Sequence, residues 1–283
     1  MTNRLSSLTL GIGLLLAAPA SAQDRPPLVL ATTTGTYDSG LLDSLLPRFE
    51  QESGFRVKII AVGTGAALAM AARGDADALL VHAPERELEF VRSGDIIEGR
   101  LIMHNDFVLT GPPDDPASVS SCRELACAMK ALAGAGRFIS RGDRSGTHEM
   151  ELRLWRLAGI AVDSVKGRVE TGQGMGATLD IASQRKAYTL TDRGTFMAHR
   201  SGQSMRIVFE GDPVLLNVYH AYAVNPARHP KTNLAGARAF VSFMASPSTQ
   251  QAIGQFGRSR FGRSLYIPDV GRDTTRLHEA GSR

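Results

Sequence analysis

The chain has 283 residues, of which 43% are hydrophobic and 21% charged. That length holds one or two domains with a sizeable core, and the balance excludes a disordered, collagen-like or coiled-coil chain. The formal charge of +4 is spread along the sequence and only 6% of residues are aromatic, so no nucleic-acid partner is implied.

Arg4, the apolar run 8–18 and the small residues Ala20, Ser21 and Ala22 read as an export signal cleaved after Ala22. The run is too short to span a bilayer as a helix. Cleavage removes Arg4 and no acid, leaving 261 of the 283 residues with 31 basic against 28 acidic side chains. No cysteine follows the cleavage point, so a free exported protein in the periplasm is expected rather than a lipid-anchored one. Residues 28–32 then predict a buried strand and 39–52 a helix, with Leu41, Leu42, Leu45, Leu46 and Phe49 at helical spacing and a kink or break at Pro47. Residues 56–62 predict a second strand, 66–73 a helix ended by Gly74, 78–81 a third strand and 84–93 a helix closed by Gly94. After a strand-like segment at 105–110 come a helix at 123–133, a strand at 138–140, helices at 147–157 and 176–184, and a strand at 188–190. This alternation predicts an α/β fold with mostly parallel sheets. The apolar segments 107–110 and 219–224 read as crossings between two lobes.

Cys122 and Cys127 match neither a zinc signature nor a disulfide scaffold. An oxidising compartment permits a bridge between them. However, Ser121 and Glu124 read as a capping box, and cysteines five apart on the helix it starts have Cα atoms beyond the ~7 Å bridging limit.

Four helices are preceded by loops rich in Gly, Ser and Thr: Thr32-Thr33-Thr34-Gly35, Gly63-Thr64-Gly65, the run from Arg141 to Thr147, and Thr171-Gly172-Gln173-Gly174-Met175-Gly176. A helix N-terminus presents unpaired N–H groups and partial positive charge, glycine admits close approach, and hydroxyls add neutral donors. Any one such loop is accounted for as an ordinary turn and cap. Arg141, Ser145, Gly146 and Thr147 are more specific, since they join a cationic fork to two hydroxyls at one helix start. Together the loops suit a dehydrated oxyanion.

The residues 31–34, 38–42, 62–65, 73–77, 105–108, 140–148, 170–179, 188–195 and 210–213 closely resemble the tungstate-binding proteins of ABC uptake systems, within the superfamily that also holds molybdate- and phosphate-binding proteins. The resemblance implies a two-lobed type II periplasmic-binding-protein fold, each lobe a mostly parallel sheet flanked by helices. It implies lobe 1 at 23–108 and 221–283, lobe 2 at 109–220, and the oxyanion between them. Carried over by position, Thr33, Thr34 and Thr64 come from one lobe, and Arg141, Ser145, Gly146 and Thr147 from the other. Gly35, Gly65, Gly174 and Met175 add backbone donors. The family reads serine where this chain has Gly35, so one hydroxyl is missing here. The resemblance also implies an ABC permease with a cytoplasmic ATPase as partner, a monomeric receptor, tungstate or molybdate as ligand, and no cofactor.

Tungstate and molybdate are fully deprotonated at neutral pH and suit a site of pure donors, whereas phosphate keeps a proton and needs an acceptor. Asp38 and Asp143 lie in the loops as candidate acceptors, or else as a helix cap and a partner of Arg141 or Arg144. A hydrolase acting on phosphate esters is the alternative of another class, with Ser145, His148 and Asp143 as its set. Residues three apart at a helix start do not align as nucleophile and base, and no G-x-S-x-G elbow is present, so no enzymatic activity is expected. His148 is expected to face solvent or to pack near Trp155. The glycine loops lack dinucleotide spacing and a phosphate-loop lysine, and Asp75 and Asp77 read as solvated rather than as a cation site.

Overall fold

The computed structural model describes residues 26–199 and 204–272, so the export signal expected at 1–22 lies outside the described residues. Among the described residues no helix is long and apolar enough to cross a membrane. In chain order the elements are β1 (Leu28–Thr33), α1 (Thr34–Asp38), α2 (Leu41–Ser53), β2 (Val57–Val62), α3 (Thr64–Arg73), β3 (Ala78–Val81), α4 (Pro84–Arg92) and β4 (Ile96–Gly111). They continue as α5 (Leu125–Gly134), β5 (Phe138–Ser140), α6 (Gly146–Leu157), β6 (Arg168–Glu170), α7 (Met175–Gln184), β7 (Tyr188–Asp192), α8 (Arg193–Ala198), β8 (Arg206–Phe209) and β9 (Leu216–Val224). The chain closes with α9 (Leu234–Ala245), α10 (Pro247–Gln255), α11 (Arg258–Phe261) and β10 (Ile267–Pro268).

The strands form one ladder in the order β2-β1-β3-β9-β4-β7-β5-β6, with β8 and β10 also paired to β4. β1 pairs parallel with β2 and β3, and β5 pairs parallel with β6 and β7. β4 belongs to both halves: Ile96 to Asp106 pair with β9, and Phe107 to Thr110 pair with β7. Strands buried on both faces read as continuous apolar runs, and here the two faces have separate cores. In the first half Leu28, Leu30, Leu80, Tyr219 and Ala221 pack with α2 and α9, while Ala31, Leu79, Val81 and Tyr222 pack with α3. In the second half Phe107 and Leu109 face Trp155 and Met129, and Val108 faces Leu179 and Phe196. Alternation at period two sends neighbouring side chains into different helical layers, which fixes the register of each strand.

Three expectations are corrected. The helix expected at 39–52 is α2, which starts after its N-cap Gly40 at φ of 79° and runs on through Pro47 without a break, and the short α1 before it was not expected. The strand expected at 105–110 is the end of the 16-residue β4, whose earlier part was masked by Glu98, Gly99 and Arg100 at a bulge. The segment 219–224 lies inside β9, paired with β3 and β4, so the return from the second half occurs before Leu216. The boundary at 220/221 therefore cuts through one strand, because a strand buried on both faces carries the same apolar signal as a crossing.

The cysteines are also corrected. Ser121 ends a 3₁₀ turn, Cys122 is extended and Glu124 is the N-cap of α5, so the two cysteines do not share a helix. Their Cα atoms are 5.5 Å apart and the sulfurs are bonded.

Candidate functional site

The expected site residues sit at or just past the carboxyl ends of strands, the edge where open α/β sheets place ligands. Thr33 ends β1, Thr64 follows β2, the loop from Arg141 to Ser145 follows β5, and Gly174 follows β6. The structure brings these four loops together. Arg141 Nη2 donates to Thr34 Oγ1 at 3.2 Å, and a methyl group on Gly174 would lie 3.5 Å from Thr34 Cγ2. A methyl on Gly63 would touch Ser145 Cα at 3.2 Å, and one on Gly65 would meet Arg144 O at 3.2 Å. The N-termini of α3 and α6 thus meet closely, although 80 residues separate Gly65 from Ser145.

Local chemistry holds the donors in place. Thr33 Oγ1 caps α1 by accepting from Thr36 N at 3.3 Å, and it lies 2.8 Å from Thr36 Oγ1. Ser145 Oγ caps α6 by accepting from His148 N at 3.3 Å, which leaves its own proton to donate outward. Gly142 has φ of 61°, and a Cβ there would lie 2.5 Å from Glu170 Cβ, so only glycine carries the loop past β6. Behind the loop, Glu151 is 2% exposed and accepts from Arg168 Nε at 2.8 Å, Ser140 Oγ at 2.5 Å and Trp155 Nε1 at 3.1 Å. This buried network anchors the last residue of β5, immediately before Arg141. Arg86 of α4 pairs with Glu149 of α6 at 3.1 Å, a second tie between the two halves.

Arg141 is 3% exposed and pairs with Asp143, whose other oxygen accepts from Ser145 N at 3.1 Å. Asp143 thus orients both the arginine and the loop. Burial pulls the Arg141 guanidinium below its usual value, opposed first by Asp143 and then by Asp192 and Asp38. Burial pushes the Asp38 carboxyl up, while the Gly176 amide holds it down. Asp38 therefore does act as a helix cap, but for α7 across the cleft rather than for its own chain neighbours. His148 does not face solvent: it is 8% exposed and its Nδ1 accepts from Arg144 N at 3.1 Å. His148 is thus tied to the start of its own helix at both ends, its backbone N–H donating to Ser145 Oγ and its Nδ1 accepting from Arg144 N.

Two further residues at this edge were not singled out in the sequence. Asp192 ends β7 and takes the room a side chain at position 35 would need: a methyl on Gly35 would lie 2.8 Å from Asp192 Oδ2 and 3.1 Å from Thr195 Oγ1. Thr195 Oγ1 donates to Asp192 Oδ2 at 2.6 Å and lies 3.1 Å from Gly35 O. His82, one residue past β3, is 7% exposed and stacks obliquely on Tyr219 with ring centroids 4.8 Å apart. Neither has a local glycine-rich signal; only their position at strand ends matches that of the other loops. Among the described residues no group of three or more His, Cys, Asp or Glu is arranged to hold a metal ion.

The chain matches the PBP superfamily domain over residues 18–248. It is 41% identical to the tungstate-binding protein TupA of Peptoclostridium acidaminophilum over 253 residues, 88% of each chain. The crystal structure of the tungstate ABC transporter from Geobacter sulfurreducens is 43% identical with a TM-score of 0.74, covering 81% of this chain and 98% of that one. The tungstate-binding protein TupA from Desulfovibrio alaskensis G20 is 42% identical with a TM-score of 0.71, covering 87% and 100%.

Proposed function

Since the chain belongs to the TupA tungstate-binding family within the PBP superfamily, we propose that it is an exported receptor that closes on tungstate and delivers it to an ABC permease driven by a cytoplasmic ATPase. The observation that carries this reading is the meeting of four strand-end loops, with the buried Arg141 of the second half touching Thr34 of the first at 3.2 Å. In the proposed site Thr33, Thr34 and Thr64 donate from one side, and Arg141, Ser145, Gly146 and Thr147 from the other. Gly35, Gly65, Gly174 and Met175 contribute amides. The anion bridges two lobes that pivot where β4 passes between sheets and in the segment before Leu216. The receptor works as a monomer in the periplasm, without a cofactor and without catalysis.

The state of the carboxylates favours an unprotonated oxyanion over phosphate. Asp143 is engaged by Arg141 and Ser145 N, and Asp192 Oδ1 accepts from Thr195 N at 2.9 Å. Asp192 Oδ2 accepts from Thr195 Oγ1, and Asp38 from the Gly176 amide. Each carboxylate already accepts from a protein donor, which supports a ligand that brings acceptors rather than a proton. Molybdate has the same charge and nearly the same size, so it shares the site.

About seven hydrogen bonds at ~1.5–3 kcal/mol each give a gross ~10–20 kcal/mol. Lobe closure and lost freedom reduce this, leaving room for a nanomolar constant, about −12 kcal/mol. Calorimetric titration with tungstate, repeated in excess molybdate, phosphate and sulfate, tests the reading. Tight tungstate binding displaced by molybdate alone is expected. Preference for phosphate or sulfate, or no heat with any of the four, would overturn it.

A further inference from the structure

Two buried polar atoms near the meeting of α3 and α6 have no protein partner: Thr64 Oγ1 and His82 Nδ1. Thr64 is fully buried and His82 is 7% exposed. They face one place, since a methyl group on Gly146 would lie 3.2 Å from Thr64 Oγ1, 3.2 Å from His82 Nδ1 and 3.0 Å from His82 Cε1. Gly146 is the first residue of α6 and Thr64 the first of α3, helices of 12 and 10 residues, so both polar atoms lie where two sets of free amides converge. A buried donor or acceptor without a partner is costly. Two of them aimed at the same pair of helix starts mark a place built for a ligand with several acceptor oxygens.

Charge makes the histidine matter. Arg141 is the cation of the cleft, and it stands against Asp143, Asp192 and Asp38. A dianion entering this surrounding gains from a second positive group, and His82 is the buried titratable side chain beside Thr64 and Gly146. The charged groups that act on it are Asp192 from the end of β7, Glu87 from α4 and Arg141 from the loop after β5. The rings packed against it, Tyr219 of β9 and Phe107 of β4, carry no charge. Burial holds the imidazole neutral, with Asp192 and Glu87 opposing.

Resting on the oxyanion reading above, we propose that His82 is a ligand-contacting residue that donates its Nδ1–H to the bound oxyanion beside Thr64 Oγ1, taking up one proton from solvent as the anion enters. Capture is then favoured at lower pH and weakened at higher pH, while the anion itself stays fully deprotonated. His82 thereby supplies the positive charge that the carboxylates of the cleft cancel.

The test is calorimetric titration of the full-length mature protein with sodium tungstate at pH 7.5, in buffers of differing ionisation enthalpy, for wild type, His82→Phe and His82→Asn. Phenylalanine keeps the ring packing on Tyr219 and removes the donor; asparagine places an amide nitrogen near Nδ1 without titrating. The wild type is expected to take up close to one proton per tungstate and to lose affinity as pH rises from 7 to 9. His82→Phe is expected to bind at least tenfold more weakly at pH 7, with no proton uptake and a flat profile. His82→Asn is expected to recover part of that affinity while remaining flat. Wild-type binding without proton uptake, or a folded His82→Phe variant with wild-type affinity and uptake, would overturn the proposal. A wild type that binds no tungstate would instead overturn the receptor reading itself, and thermal melts of each variant separate misfolding from loss of contact.

Discussion

Replacing Arg141 by alanine is the sharpest perturbation of the proposed site. The guanidinium is 3% exposed and holds both Thr34 Oγ1 and Asp143, so it cannot be replaced by water without opening the cleft. Two charge-assisted bonds to a buried anion, at ~1.5–3 kcal/mol each, come to ~3–6 kcal/mol, or roughly a hundredfold to ten-thousandfold in affinity. A further loss comes from Asp143, which keeps Ser145 N on one oxygen but turns an unpaired negative oxygen toward the ligand. The double variant Arg141→Ala with Asp143→Asn should therefore bind more tightly than Arg141→Ala alone. Arg141→Lys should fall between, since an ammonium keeps the charge but not the two-pronged geometry. Titration with tungstate measures all four proteins, and thermal melts confirm that each is folded. A folded Arg141→Ala protein whose constant lies within threefold of wild type would remove the arginine from the site.

Three other outcomes follow from particular contacts. Gly35→Ser restores the family hydroxyl, but its Cβ would lie 2.8 Å from Asp192 Oδ2, so a loss of ~1–3 kcal/mol in stability is expected by thermal denaturation; an unchanged melting temperature would show that Asp192 yields freely. Glu151→Ala strands Arg168, Ser140 and Trp155 Nε1 in the core and should cost ~3–5 kcal/mol, a fall in Tm on the order of 10 °C, read by calorimetry. His82 is held neutral in the fold, its value lowered by burial against an unfolded value of about 6.5. Between the two values the unfolded chain binds more protons, so stability from this group is full above pH ~6.5 and is lost as pH falls. The Tm difference between wild type and His82→Phe should narrow from pH 7.5 to pH 5; a difference independent of pH would refute the assignment.

Much of this was legible where strands are short and apolar and lie between helix breakers, as Ala78–Val81 does between Gly74 and Pro84. The loops carrying Thr33, Thr64 and Arg141 announced themselves by composition and by resemblance. What was hidden depends on residues far apart. His82 gains meaning only from Gly146, 64 residues later, and Asp192 only from Gly35. Cys122 and Cys127 looked as though they shared a helix until an extended residue and a late N-cap placed them on different elements. Periodicity reports local burial well, but it does not report which buried surfaces meet.

The first sheet closes on the last part of the chain. β3 and β4 are paired by β9, Leu28 shares a core with Phe240 and Met244, and β10 pairs with Met103 and His104 while buried Asp269 Oδ2 lies 2.6 Å from His104 Nδ1. During synthesis, residues 28–106 therefore emerge without the strand that joins β3 to β4 and without the helix that covers one face. Non-local pairing of this kind postpones folding, because the loop must be closed before its contacts give any return. A polypeptide that cannot complete its first sheet until its C-terminal quarter exists stays open along its first third while it is being made.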